Sequence, residues 1–272
     1  MLVATDSPFS LSSANSQPCY SGGPATLTCK AVIDETHDSK TFVFEDAQSR
    51  SFNFKPGQYV TFNLDIEGKK HARAYSISST PTRPHNIQVT VKRVPGGVVS
   101  NHLNDRMTPG TDIEIADITG GFNWVDIPSD KPLFLSGGSG VTPVMSMLQY
   151  VTDVTLPKDI VFVHFARSPK DIIFRDQLEF LSRRFTNVTV HLIVDEADAG
   201  FAGETGQISA ELLQRLVPDH AERSIFMCGP EGFMKAARDV AAVVPFAAIH
   251  EESFGGKITI AENADTGGEV FF

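Results

Sequence analysis

The chain has 272 residues, 41% of them hydrophobic, and a formal net charge of −10. That length suits one large domain or two ordinary ones, and the acidic balance argues against binding nucleic acid through bulk charge. The three cysteines, Cys19, Cys29 and Cys228, are scattered, which excludes a disulfide framework and a zinc site and fits a reducing cytoplasm.

The N-terminus is polar and Ser-rich and lacks the basic and continuous apolar regions of a signal peptide, so residues 1–23 read as a mobile tail. From 24 to about 127 short alternating runs dominate. Leu27, Cys29, Ala31 and Ile33 alternate with polar residues, followed by T-F-V-F (41–44), Q-Y-V-T-F-N-L-D-I (58–66), A-Y-S-I-S (74–78), I-Q-V-T-V-K-R-V (87–94) and I-E-I-A (113–116). Pro-Gly at 56–57 and 109–110 and Glu-Gly at 67–68 punctuate them, which predicts an antiparallel sandwich or barrel. One short helix is predicted at about 98–105.

From 131 the pattern changes. Apolar runs at 132–136, 160–166, 188–194, 224–228 and 247–251 alternate with helical stretches at 143–151, 172–185, 209–216 and 232–243. Strands buried on both faces read as continuous apolar runs, so this half is an open parallel α/β sheet. Its ligands belong beyond the carboxyl ends of the strands. No run is long enough to span a bilayer, and no stable membrane insertion is expected.

The stretch L-S-G-G-S-G-V-T-P (135–143) joins the first α/β strand to its helix. It has no lysine, so it is not a P-loop, and Pro143 stands where a dinucleotide fingerprint needs its third glycine. Thr142 is expected to cap the helix and Pro143 to open it. The glycines let a flat ligand approach the backbone, whereas a plain corner has no need of so many. Met145, Met147 and Leu148 read as core. The eight histidines show no ligand spacing, and no metal-binding residue is expected.

A second stretch is R-A-Y-S-I-S-S-T-P (73–81). On a strand Arg73 and Tyr75 share a face and Ser76 takes the other, which suits an anion with a flat ring nearby. G-G-V-V-S-N-H-L (96–103) opens the short helix, whose free N–H groups can receive a pyrophosphate. With C-G-P-E-G-F-M (228–234) and E-S-F (252–254), these stretches occur in a fixed order. The set resembles the ferredoxin–NADP reductase-like flavoproteins. It is most similar to the NADH oxidoreductases that serve hybrid-cluster protein and to the oxygenase reductases, over residues 25 to about 254.

The resemblance implies a Greek-key β-barrel binding FAD (24–127), followed by a Rossmann-like NAD(P)H domain (128–254). It implies that Arg73 contacts the FAD pyrophosphate, that Tyr75 packs on the isoalloxazine and that Ser76 hydrogen-bonds near the flavin N5. Gly97, Val98, Val99 and Ser100 would hold the pyrophosphate, and Phe254 would cover the ring. On the nicotinamide side it implies Gly137 to Thr142, with Gly138, Gly140 and Thr142 foremost, then Arg167, and Cys228, Gly229 and Pro230, with Met234 on the same helix. Ser76, Glu252 and Cys228 form the implied reactive centre.

The implied activity is hydride transfer from NADH to FAD, then release of single electrons to a redox protein: a ferredoxin domain, a hybrid-cluster protein or an oxygenase component. Arg167, Ser168 and Lys170 could pair with a 2′-phosphate, yet a similar segment occurs in NADH-dependent relatives, so NADH is expected over NADPH. Relatives often carry a [2Fe–2S] domain, which needs a C-x4-C-x2-C run and a further cysteine. No such run is present, so residues 255–272 read as a linker and the start of a missing domain. The alternatives are a non-catalytic flavin-binding electron-transfer or sensor subunit, and an interaction module without a cofactor.

Overall fold

The computed structural model describes residues 18–245 and 248–254. Its first sheet has six antiparallel strands in the order β6-β5-β8-β2-β3-β7. These are β2 (Ala25–Thr36), β3 (Ser39–Asp46), β5 (Tyr59–Ile66), β6 (Lys69–Ser76), β7 (Ile87–Lys92) and β8 (Asp112–Thr119). The last strand, β8, returns to lie between β2 and β5, and a bridge from Ile77 to Val89 brings the two edges, β6 and β7, together. The alternation read from sequence is the reason: Leu27, Phe42, Phe44, Val60 and Phe62 face inward and are fully buried. Each such side chain contributes about 1.5–3 kcal/mol. Helix α1 (Val98–Arg106) packs Val99 and Leu103 on the same core.

The second sheet is parallel, in the order β12-β11-β10-β9-β13-β14. It comprises β9 (Pro132–Gly137), β10 (Ile160–Ala166), β11 (Val188–Val194), β12 (Glu204–Thr205), β13 (Ser224–Gly229) and β14 (Ile249–Ser253). Helices α2 (Val141–Asp153), α3 (Arg175–Arg184), α4 (Ala210–Leu216) and α5 (Glu231–Ala241) accompany it. The chain order reverses at β9, between β10 and β13, which makes a switch-point crevice.

The two lobes meet along α2. The Ser146 hydroxyl donates to the Ser79 carbonyl at 2.5 Å, and the Gln149 amide donates to the Ser78 carbonyl at 3.0 Å, both buried. Phe122 and Trp124, just after the barrel, join the apolar cluster of α2 with Phe134 and Phe226. The segment that follows Ser76 is therefore bonded to the helix that follows the glycine loop.

Two local expectations are corrected. Residues 18–23 are not a mobile tail: β1 (Cys19–Tyr20) pairs with β4 (Ser51–Phe52), because the Tyr20 ring buries itself against Phe52 and its hydroxyl bonds the Gly23 carbonyl. Residues 1–17 lie outside the described residues. Thr142 does not cap α2. The helix starts at Val141 after a 3₁₀ turn over Gly138–Gly140, and the buried Thr142 hydroxyl donates back to the Ser139 carbonyl. Pro143 is then the third helical residue, still within the turn whose N–H groups lack helical partners. The segment 255–272 lies outside the described residues.

Candidate active site

Ser76 ends β6 of the barrel and Glu252 lies on β14 of the parallel sheet, 176 residues further along. The Ser76 hydroxyl donates to the Glu252 carboxyl at 3.1 Å, across the junction of the two lobes. Burial pushes the Glu252 pKa up to about 7, against the weaker opposing pull of the Ser76 hydrogen bond. Cys228 is the register partner of Glu252 in the neighbouring strand and is fully buried. Burial, and then the Glu252 charge, keep its thiol protonated. Tyr59 stands opposite Ser76 in the β5–β6 pair, and burial and Glu252 raise its pKa. Sequence reasoning missed Tyr59, although its position across the hairpin from Ser76 was a usable signal.

Tyr75 packs its ring on Phe62, 5.6 Å between centroids, and burial raises its phenol pKa. Arg73 is half-buried on the same strand and donates one bond to the Ala72 carbonyl. Gly97 caps α1 with no side-chain hydrogen bond, and the first turn carries no acidic residue to compete for the N–H groups of Val98 and Val99. The Ser100 hydroxyl accepts from the Val94 N–H, which closes the loop before the helix. Phe254 follows β14, half-buried. The donors and the aromatic face fit a flavin dinucleotide: an open helix N-terminus, an arginine and a ring on one strand.

The glycine loop has two different needs. A Cβ on Gly140 would lie 2.1 Å from the Cys228 carbonyl oxygen, so this glycine lets the loop pack on the end of β13. Gly138 has φ +52°, and a Cβ placed on it would meet nothing within 4 Å, so its exposed face is open. Above it lies a cleft of about 360 Å³ along the carboxyl ends of the parallel strands. Gly138, Arg167 and Pro230 line it, whereas Gly140, Thr142, Cys228 and Gly229 do not. Lys92, Asp171, Asp195, Gln207 and Phe233 also line it and were not foreseen. Met234 is instead fully buried in the core with Ala237 and Val240, and its neighbour Phe233 takes the cleft position. Beneath the loop the buried Ser136 hydroxyl bonds His164 Nδ1 at 2.8 Å, and burial pushes His164 down to about 4, a neutral imidazole.

The oxidoreductase FAD-binding domain family matches residues 25–124, and the oxidoreductase NAD-binding domain family matches residues 134–239. The reductase subunit of the Stachydrine N-demethylase, Stc4, of Rhizobium meliloti is 34% identical over 241 residues, 87% of this chain and 68% of that protein. The chain belongs to the ferredoxin–NADP reductase-like flavoproteins. A second relative in this family is the glycine betaine monooxygenase reductase subunit of Pseudomonas aeruginosa, 43% identical over 240 residues. The match covers 87% of this chain and spans 66% of that protein's length. The FAD/NAD-binding domain of nitric oxide dioxygenase from Vibrio cholerae has the same fold, with a TM-score of 0.77 at 22% identity over 86% of this chain and all of that one. Among the described residues no helix is long and apolar enough to cross a membrane.

Proposed function

We propose that this chain is an NADH-dependent reductase that passes a hydride to FAD and then single electrons to a redox protein acceptor in the cytoplasm. The relatives named for a monooxygenase and an N-demethylase favour an oxygenase component as that acceptor, with an iron–sulfur centre as the receiving group. The observation that carries the reading is the Ser76–Glu252 bond, which joins the flavin strand to the nicotinamide sheet at a partly buried point. A non-catalytic flavin carrier has no need of such a joint.

Each residue then has a part. Residues 24–127 hold FAD, with Arg73 and the first turn of α1 on its pyrophosphate and Tyr75 and Phe254 on its ring. Residues 128–254 hold NADH in the cleft beside Gly138, Arg167 and Pro230. Bound FAD would take a hydride and release its electrons singly, chemistry that no side chain supplies. Ser76 orients the Glu252 carboxyl, which, partly buried at the junction of the lobes, holds a proton at its oxygen up to about pH 7. The buried bonds of Ser146 and Gln149 fix the distance between the two binding lobes, which is how positioning lowers the barrier. NADH is favoured because Asp195, just past β11, lines the cleft where an acidic side chain receives a ribose 2′-hydroxyl.

Arg73→Ala tests the flavin assignment. A charge-assisted bond to a pyrophosphate is worth about 1.5–3 kcal/mol, so the variant is expected to bind FAD roughly tenfold or more weakly. Titration of the flavin-free protein with FAD, followed by Trp124 quenching, measures it. An unchanged affinity removes Arg73 from the site. Anaerobic NADH is expected to bleach the flavin of the wild type within seconds, and a flavin that stays oxidised would make the protein a carrier or sensor.

A further inference from the structure

Arg167 ends the β10 side of the cleft with two-thirds of its side chain exposed, the position from which a guanidinium would meet a ribose 2′-phosphate. It is already engaged. Its Nη2 lies 2.7 Å from Asp171 Oδ1 and 3.3 Å from Asp38 Oδ2. Asp38 belongs to the other lobe, in the turn between β2 and β3. Lys92, at the end of β7, lies 2.8 Å from Asp38 and 3.9 Å from Asp171. Two carboxylates thus balance two cations, with His37 3.9 Å from Asp38 at the edge.

The carboxylates are fixed as well as charged. Asp38 accepts from the Thr36 and Ser39 hydroxyls, and Asp171 from the Ser168 hydroxyl at 2.5 Å. Burial pushes the Asp38 pKa up, but the bonds from Lys92, Thr36 and Ser39 outweigh it and hold it down to about 2. Swinging Arg167 away would leave two partly buried carboxylates with Lys92 alone to balance them, and removing one partner of such a group is the costly step.

We propose that Asp38 and Asp171 set coenzyme choice by occupying Arg167, so that the cleft rejects a ribose 2′-phosphate. The proposal rests on the NADH reading and deepens it. A 2′-phosphate would have to displace Asp171 from the guanidinium while approaching Asp38, Asp171 and Asp195. The repulsive element lies in the carboxylates, although the arginine by itself would favour the phosphate. Because Asp38 comes from the barrel, its share of the discrimination exists only while the lobes are docked.

Calorimetric titration of the FAD-loaded protein with adenosine 2′,5′-bisphosphate and with AMP tests this. The wild type is expected to bind AMP at least as tightly as the bisphosphate. Asp38→Asn and Asp171→Asn are each expected to shift the affinity ratio about tenfold toward the bisphosphate, the worth of one freed charge-assisted bond. Adding Arg167→Ala to either variant is expected to abolish the shift. Asp38 and Asp171 sit on separate lobes, so a folding defect in one variant leaves the other to decide. A wild type that prefers AMP, with ratios that do not move in the variants or a shift that survives Arg167→Ala, overturns the cage and leaves NADH standing. A wild type that prefers the bisphosphate overturns both.

Discussion

Glu252 is a buried carboxyl at the junction of the lobes, and its protonation bears on stability. Its carboxyl is raised from the usual 4.5 to about 7, chiefly by burial. Between those two values the folded chain holds a proton that the unfolded chain has released. The stability this group contributes is therefore fully present below about pH 4.5 and is lost as pH rises through 7. That rise corresponds to a loss of up to about 3 kcal/mol. Glu252→Gln keeps the shape and cannot ionise. Urea denaturation of wild type and variant at pH 5 and pH 8 is expected to show a smaller pH-dependent fall in the variant, by up to that amount. Equal falls would place the titrating group elsewhere. The sequence offered Glu252 only through its resemblance to a family motif. Nothing in E-S-F tells that the carboxyl is buried or that Ser76 donates to it, because both follow from packing one lobe on the other.

At the level of elements, α2 and the loop before it carry the most tertiary information. Gly140 is a glycine because the loop lies on the Cys228 carbonyl, and Gly138 is one because its backbone is left-handed beneath an open cleft. The two substitutions are therefore expected to part. Gly140→Ala forces a backbone clash and is expected to destabilise by about 3 kcal/mol, at the upper end of overpacking. Gly138→Ala faces open space and is expected to lose only ~1–2 kcal/mol from its left-handed backbone, with a larger fractional loss of NADH affinity. Urea melts and coenzyme titrations of both variants separate them, and equal stability losses would refute the assignment. Long elements such as β2, β5, β10 and α5 were legible because alternation, a continuous apolar run or helical spacing persists over several residues. The two-residue strands β1, β4 and β12 were not, since two residues carry no period. Asp38, Lys92 and Asp195 escaped notice for a related reason. They stand singly at a turn and at strand ends, and only the docking of the lobes brings Asp38 and Lys92 to Arg167.

The whole molecule is two lobes joined by an interface with the character of a core. Phe122 and Trp124 continue the cluster of α2, with Trp124 5.8 Å from Phe226 between ring centroids. The Trp124 N–H of the backbone also bonds the Pro56 carbonyl of the barrel. Separating the lobes would expose these rings and break the buried bonds that Ser146 and Gln149 make to the Ser79 and Ser78 carbonyls. The lobes should therefore unfold together, although each has its own sheet and could in principle stand alone. Trp124 is the single tryptophan of the chain, so its fluorescence reports the interface alone. In thermal melts of the FAD-loaded protein, that signal and the far-ultraviolet circular dichroism are expected to share one midpoint. Gln149→Leu leaves the Ser78 carbonyl unpaired in a buried place, about 1–3 kcal/mol. It is expected to move the Trp124 transition below the dichroism midpoint and to slow reduction of the flavin by NADH, since the same contact spaces the two binding lobes. If the wild-type midpoints already differ, the interface is weaker than its packing implies. If Gln149→Leu lowers both midpoints together and leaves reduction unchanged, α2 stabilises the fold without positioning the coenzymes.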